Sequence, residues 1–164
     1  GRISLLVLTA GLLWHKPTRA ATFYALLSVP LANETTDILK AGFPMARPCV
    51  DLADVNLHVK LLTSNGTASA HSANMMAVAF AMTYVAGWKW GLPWIIIAIL
   101  TGISRIYNGV HYPSQVLFGW TVGCLAAFAV IQVGRWIQRL RGAGSEAAEP
   151  APGGPTSQSA DPQP

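Results

Sequence analysis

The pattern of apolar residues constrains the fold of this chain more than any other feature. Five apolar segments, separated by polar stretches, occupy residues 3–14, 20–39, 69–87, 92–107 and 113–134. None of them alternates apolar and polar residues as a barrel-forming or half-buried strand does. In lipid, helices are the other structure that satisfies every backbone N–H and C=O group. The pattern therefore predicts an all-α, polytopic membrane helix bundle.

Composition supports this prediction and suggests where the bundle ends. The chain is 52% hydrophobic and only 11% charged, whereas soluble domains average about 25% charged residues. Residues 1–141 are predicted to form one membrane-embedded helical domain. Residues 142–164 are rich in Ala, Gly, Pro and Ser. Such a segment cannot bury enough apolar surface to offset its ordering entropy, so we predict a disordered tail.

The basic residues at the segment boundaries indicate how the bundle is oriented. They are Lys16, Arg19, Lys89, Arg135, Arg139 and Arg141. If all five segments cross the bilayer, these residues share one side, which the positive-inside rule makes cytoplasmic. Residues 40–68 and 108–112 then face the outside, which is the periplasm for a bacterial inner-membrane protein and the lumen in a eukaryote. Since no basic helix with interleaved aromatic residues occurs, nucleic acid is not an expected partner.

The first candidate cluster for chemistry lies at the end of the second segment. Lys40 and Arg47, followed by Pro48, are seven residues apart and can approach one anion from two sides. Arg offers a planar fork for phosphate oxygens, whereas Lys acts as a point charge. The alternative is that both residues simply sit among lipid headgroups.

The second cluster opens the third segment. Ser69 is a favourable N-cap residue, and the free N–H groups of the following turn, which begins at Ala70, form a site suited to an anion. His71 lies in that turn and could act as a general acid near neutral pH. The alternative is a capped helix with an incidental histidine at the membrane interface.

The third cluster joins the fourth and fifth segments. Arg105 follows Ser104 near the outer end of an apolar run, where a charge is costly unless it meets an anion or a carboxylate. His111 precedes a helix start at Pro113, and Gln115 follows four residues later. That spacing allows the Gln115 side chain to accept the Nδ1 proton of His111, which leaves Nε2 free as a nucleophile.

Together the three clusters resemble the type-2 phosphatidic acid phosphatase family, whose site is shared by vanadium haloperoxidases. The family pattern is K-x6-R-P, then P-S-G-H, then S-R-x5-H-x3-D. Here the first is complete, the second reads Ala68-Ser69-Ala70-His71, and the third ends in Gln115. The resemblance implies a six-helix membrane core, of which the five segments would be helices two to six, so that residues 1–141 would lack the first helix.

The resemblance also implies roles for single residues. His111 would form a phosphohistidine, and His71 would protonate the leaving oxygen. The phosphoryl oxygens would be held by Lys40, Arg47, Ser69, Ala70 and Arg105. No metal or other cofactor is implied, and the chain has no Cys-x-x-Cys or His-x-x-x-His spacing that would suggest a metal site. The implied partner is a lipid phosphate in the bilayer.

Two departures from the family pattern leave alternatives open. Ala70 replaces a glycine, which would cost about 1 kcal/mol or more if the position needed a positive φ. Gln115 replaces an aspartate and could fix the histidine tautomer without stabilising the imidazolium. The Ser114-Gln115-Val116 run resembles the dolichyl-diphosphatase branch and favours a polyprenyl diphosphate substrate. The alternatives are a non-catalytic relative that binds or transports a phosphorylated lipid, and a purely structural or partner-binding membrane helix bundle.

Overall fold

The computed structural model describes residues 2–52 and 64–147, and within these ranges the chain is helical and contains no strand. The elements are α1 (Arg2–Trp14), α2 (Lys16–Gly42), α3 (Pro48–Asp51), α4 (Ala70–Ala81), a π-helical turn (Met82–Ala86), α5 (Trp88–Tyr107) and α6 (Pro113–Ala147). The predicted all-α class is confirmed. Two of the helices, Trp88–Tyr107 and the first 31 residues of α6, are long and apolar enough to cross a membrane.

Helix α2 packs against α4 through small side chains. Ala21, Ala25, Ser28, Ala32 and Thr36 are buried on one face of α2, at the three- and four-residue spacing of a helix. Several hydroxyl groups of this helix, including those of Thr22, Ser28 and Thr36, donate to its own backbone carbonyls, and the Ser28 hydroxyl donates to that of Tyr24 at 2.6 Å. Small residues let two backbones approach closely, which is how helices associate in lipid. Helix α2 continues through the polar residues that follow Leu31 and ends at Gly42.

Helix α6 contacts α4 through a pair of glycines. A Cβ atom at Gly119 would lie 2.6 Å from the carbonyl oxygen of Ser69, and one at Gly123 would lie 2.2 Å from that of Ala73. Both positions exclude any side chain, and their spacing is the Gly-x-x-x-Gly pattern of close helix pairs. The contact fixes the first turn of α4 against the first turns of α6.

The chain divides into two compact units, residues 1–132 and residues 133–164. Of the second unit, the described part is the C-terminal portion of α6, which continues to Ala147. Residues 142–147 are thus helical where the composition predicts disorder. No proline follows Arg141 before Pro150, so the helix can continue past Arg141 despite the low helix propensity of Gly142 and Gly144. The remainder of the predicted tail lies outside the described residues.

Candidate active site

A cavity of about 140 Å³ lies at one end of the first unit, where α2 and α5 end and α4 and α6 begin. Residues of all three clusters line it: Lys40, Arg47, Ala70, His71, Arg105, Val110 and His111. Three of these side chains are cationic and none is acidic. Such a lining suits an anion better than a metal ion, because metal sites in proteins are built from carboxylates, thiolates or several neutral imidazoles. Within the described residues no group of three His, Cys, Asp or Glu side chains could hold a metal.

A glycine turn carries the chain from α5 to His111. Gly109 has a φ of 66°, a left-handed conformation that glycine adopts without steric cost. Its N–H donates to the carbonyl of Ile106 at 2.9 Å, and the N–H of Val110 donates to that of Arg105 at 3.3 Å. This tight turn buries His111 and leaves it only 5% exposed.

The predicted contact between His111 and Gln115 is present. His111 Nδ1 lies 3.1 Å from Oε1 of Gln115, which also accepts the backbone N–H of Tyr112. The Gln115 amide nitrogen donates to the carbonyl of Ala46 at 2.8 Å. Because that carbonyl only accepts, the amide is oriented with its oxygen toward the imidazole. His111 therefore carries its proton on Nδ1 and a lone pair on Nε2.

That lone pair faces Arg47. Nη1 of Arg47 donates to Nε2 of His111 at 2.9 Å, and it also donates to the carbonyl of Val110 at 3.0 Å. The other three guanidinium N–H groups donate to Ser64 and Asn65. All five donors that an arginine possesses are thus taken by protein atoms. Arg47 is 5% exposed and holds the nucleophile candidate in place.

The surroundings of His111 keep it neutral. Burial is the main cause that lowers its pKa to about 4, the Arg47 cation lowers the pKa further, and the hydrogen bond to Gln115 opposes both. The imidazole is therefore unprotonated at pH 7, and its Nε2 atom is available to attack an electrophile.

Arg105 has a different environment. Its Nε atom is buried and has no hydrogen-bond partner in the described part of the chain, and Nη2 makes one long contact with the Ser104 hydroxyl, at 3.4 Å. A buried guanidinium N–H without an acceptor is costly. An anion in the cavity would supply the missing acceptor.

Lys40 lines the same cavity from the last turn of α2. Its Nζ atom lies 2.8 Å from Asp37 Oδ1, one helical turn earlier. Asp37 is exposed and the pair is open to solvent, so the contact is weak. Lys40 can exchange this carboxylate for a phosphate oxygen at little cost.

The second cluster opens α4 as predicted. Ser69 has an extended backbone and caps the helix, with its hydroxyl accepting the N–H of Ser72 at 3.4 Å. Its own N–H donates to the carbonyl of Gln115 at 3.0 Å. Ala70 is the first helical residue, and among the described residues only glycines have a positive φ. Replacing the family glycine by Ala70 therefore introduces no backbone strain. His71 is exposed at the cavity.

Two features that shape the site are absent from the sequence predictions. The first is the Gly119–Gly123 pair, whose spacing is a readable signal for close helix packing. The second is the group of residues 64–67, which contacts both Arg47 and Gln115. Those contacts use mostly backbone atoms, and no residue pattern signals them.

Comparison with known proteins agrees with this geometry. The sequence profile of the PAP2 superfamily matches residues 21–139. The chain belongs to the PAP2 superfamily. Its match contains every residue of the cavity, from Lys40 in α2 to His111 before α6.

Two individual relatives share 29% and 30% sequence identity with parts of this chain. The bacitracin transport permease protein BcrC of Bacillus licheniformis is 30% identical over 68% of this chain and 55% of its own length. An undecaprenyl-diphosphatase of Sulfolobus acidocaldarius is 29% identical over 76% of this chain and 61% of its own length. The chain thus spans somewhat more than half of these two relatives.

A solved PAP2 structure shows the same fold. The first transmembrane PAP2-type phosphatidylglycerolphosphate phosphatase from Bacillus subtilis superimposes with a TM-score of 0.62 at 26% identity, over 82% of this chain and 69% of that one. Together with the two long apolar helices, this likeness identifies the chain as a membrane protein.

Proposed function

We propose that this chain is a phosphatase that hydrolyses a lipid phosphate or a polyprenyl diphosphate through His111, without a metal ion. The observation that carries the proposal is the state of His111 in a cationic cavity. Gln115 holds its proton on Nδ1, and its Nε2 lone pair points toward Arg47. This arrangement supplies an oriented, neutral nucleophile next to three cations that can stabilise a phosphoryl group.

The reaction proceeds in two steps, phosphoryl transfer to His111 and hydrolysis of the phosphohistidine. The Nε2 lone pair of His111 forms a bond to phosphorus, and the bond from phosphorus to the leaving oxygen breaks. His71 gives its proton to that oxygen, which leaves as a lipid alcohol or a lipid monophosphate. A water molecule then attacks the phosphohistidine, returns one proton to His71, and releases inorganic phosphate and free His111.

The hydrogen bond between Arg47 and His111 must open during the first step. In the structure Nη1 of Arg47 donates to the lone pair that attacks phosphorus. A phosphoryl oxygen that enters the cavity can accept this N–H in its place. Arriving substrate therefore frees the nucleophile, while Lys40, Arg105 and the N–H groups of the first turn of α4, beginning at Ala70, bind the remaining oxygens.

The substrate class is inferred from three sources. The cavity is small and cationic, which suits a phosphate head rather than a whole lipid. One relative is named an undecaprenyl-diphosphatase, and the Ser114-Gln115-Val116 run resembles the dolichyl-diphosphatase branch. We place the site at the outer face of a bacterial inner membrane, because the basic residues Lys16, Arg19 and Lys89 lie at the opposite ends of their helices.

The test is phosphate release by the full-length, detergent-solubilised protein in EDTA. Substrates are a polyprenyl diphosphate, phosphatidic acid and a soluble phosphomonoester. The His111→Ala variant is compared with His15→Ala, which removes a histidine that packs against Trp90 in a tilted arrangement and does not line the cavity. We expect turnover in EDTA that His111→Ala abolishes and His15→Ala retains. Vanadate binding without any turnover would instead support the non-catalytic, lipid-binding alternative.

A further inference from the structure

Residues 64–67, named here the bridging segment, connect the first and third clusters of the site. The Asn65 side-chain amide donates to the carbonyl of Lys40 at 2.9 Å, and the Gly66 N–H donates to that of Met45 at 2.8 Å. The Thr67 hydroxyl donates to the carbonyl of Phe43. The segment is therefore attached to the chain that carries Lys40 and Arg47.

The same segment holds the Arg47 side chain. Nε of Arg47 donates to the carbonyl of Ser64 at 2.6 Å, and Nη2 donates to the Ser64 hydroxyl and the Asn65 carbonyl, both at 3.1 Å. Three of the five guanidinium N–H groups thus donate to Ser64 and Asn65 of the bridging segment. Hydrogen bonds to a charged group are stronger than neutral ones, so these contacts restrict where the guanidinium lies.

Gly66 fits between the two partners of His111. A Cβ atom at this position would lie 2.7 Å from Cγ of Arg47, and 2.9 and 3.1 Å from the two amide atoms of Gln115. The φ angle of Gly66 is not in the left-handed region, so its backbone conformation is open to any residue. The requirement for glycine here is one of space, and a side chain would displace Arg47 or Gln115.

We infer that the bridging segment is a positioning element of the reaction. Ser64 and Asn65 fix the Arg47 guanidinium against Nε2 of His111, and Gly66 sets the separation of Arg47 and Gln115 on either side of the imidazole. Ser64 and Asn65 act through Arg47, whereas Gly66 acts through Arg47 and Gln115 and also through a backbone hydrogen bond with His111. None of these three residues lines the cavity. The inference rests on the proposed phosphatase function.

The test compares two glycine substitutions. Gly66→Ala places a Cβ between Arg47 and Gln115, whereas Gly42→Ala, at the end of α2, places one where no atom lies within 4 Å. Steady-state phosphate release and the thermal midpoint are measured for both variants, for Gln115→Ala and for the double variant Gly66→Ala/Gln115→Ala. Ser64→Ala is included because it removes a single hydrogen bond to Arg47 and leaves the backbone contacts intact.

We expect Gly66→Ala to lower kcat at least about tenfold with a smaller change in KM, which is the pattern for a contact that acts in the transition state. Gly42→Ala should match the unmodified protein. In the Gln115→Ala background, the added effect of Gly66→Ala should be at most about half as large on a logarithmic scale, because the displaced amide is gone. Ser64→Ala should lower kcat about three- to tenfold, with a smaller fall in the thermal midpoint than Arg47→Ala because one of the five guanidinium hydrogen bonds is lost.

The inference is overturned if Gly66→Ala keeps kcat within about twofold of Gly42→Ala, or if its effect is fully additive with Gln115→Ala. If Gly66→Ala does not fold, an unchanged kcat in Ser64→Ala overturns it. Absence of turnover in the unmodified protein contradicts the proposed function instead. Vanadate affinity then tests the positioning role: at least tenfold weaker binding by Gly66→Ala than by Gly42→Ala supports it, and equal binding rejects it.

Discussion

Two arginines face the same cavity and differ in how their donors are used. Arg47 is buried, and all five of its N–H groups reach protein acceptors, one of them Nε2 of His111. Arg105 has a buried Nε without a partner in the described chain, and a single long contact to Ser104. The residue types and the net charges are equal, so the difference lies in what the fold places around each guanidinium.

Arg47 therefore has a mainly structural role in the site, whereas Arg105 has a donor that is available to a ligand. A guanidinium with every donor satisfied stabilises the fold and orients its neighbours. One with an unsatisfied buried donor costs stability until an anion binds. Both line the cavity, and Arg47 can contribute to phosphate binding once it releases His111. Substitution of each arginine separates the two roles.

The largest effect is expected for Arg47→Ala. Removing the side chain leaves the carbonyls of Ser64, Asn65 and Val110 without their donor, and each loss costs about 1–3 kcal/mol where the group stays buried. We expect the thermal midpoint in detergent to fall by at least about 5 °C, together with a loss of phosphate release. An unchanged midpoint would show that Arg47 has no structural role.

Arg105→Ala should give the opposite pattern. The substitution removes an unsatisfied buried donor, so the thermal midpoint should stay within about 2 °C of the unmodified protein or rise. Vanadate affinity should fall about 10- to 100-fold, since hydrogen bonds to charged groups contribute about 1.5–3 kcal/mol. Calorimetric titration checks the affinity. A large loss of stability with unchanged vanadate binding would reverse the assignment of the two arginines.

The pH dependence of kcat/KM should also distinguish the two arginines. His111 must be neutral to attack, so its pKa of about 4 places the acid limb of the profile near pH 4, while the basic limb reports the loss of the His71 proton. The Arg47 cation lowers this pKa. Arg47→Gln should therefore raise it and move the acid limb to higher pH. Arg105 is not among the groups that shift this pKa, so Arg105→Gln should lower the rate without moving the limb.

The smallest effect is expected at Lys40, the third cation of the cavity. Asp37→Asn removes the carboxylate that pairs with Lys40 at 2.8 Å. Because Asp37 is exposed, the pair contributes about 0.2–1 kcal/mol. Phosphate release should change by no more than about threefold, and the thermal midpoint by less than about 2 °C. A tenfold change in turnover would mean that Asp37 controls the charge of the cavity.

The sequence predicted the parts of this protein that depend on local pattern. Long apolar runs without alternation predicted the helix bundle, and the four-residue spacing of His111 and Gln115 predicted their contact. The N-cap at Ser69 followed from residue type. Each of these features depends on residues close in the chain, where backbone geometry fixes which side chains can meet.

Other features depend on tertiary packing and could not be predicted in this way. The contacts of Arg47 with Ser64, Asn65 and Val110 use backbone carbonyls, which every residue carries. The space requirement at Gly66 arises only when Arg47 and Gln115 meet there. The Gly-x-x-x-Gly spacing of Gly119 and Gly123 can be read from the sequence, but the sequence does not show that α4 is the helix that packs against it. The predicted tail begins at residue 142, whereas α6 continues to Ala147. Composition is a property of a whole segment and does not indicate the particular residue at which a helix ends.

The central claim is that Nε2 of His111 attacks phosphorus. Its most direct test is to mix the protein with a polyprenyl diphosphate labelled in its terminal phosphate, quench at alkaline pH within the first turnover, and locate the label by mass spectrometry. Our account predicts a phosphoryl group on His111, absent in His111→Ala and still formed in His15→Ala. Turnover with no label on His111, or with full activity in His111→Ala, would contradict it.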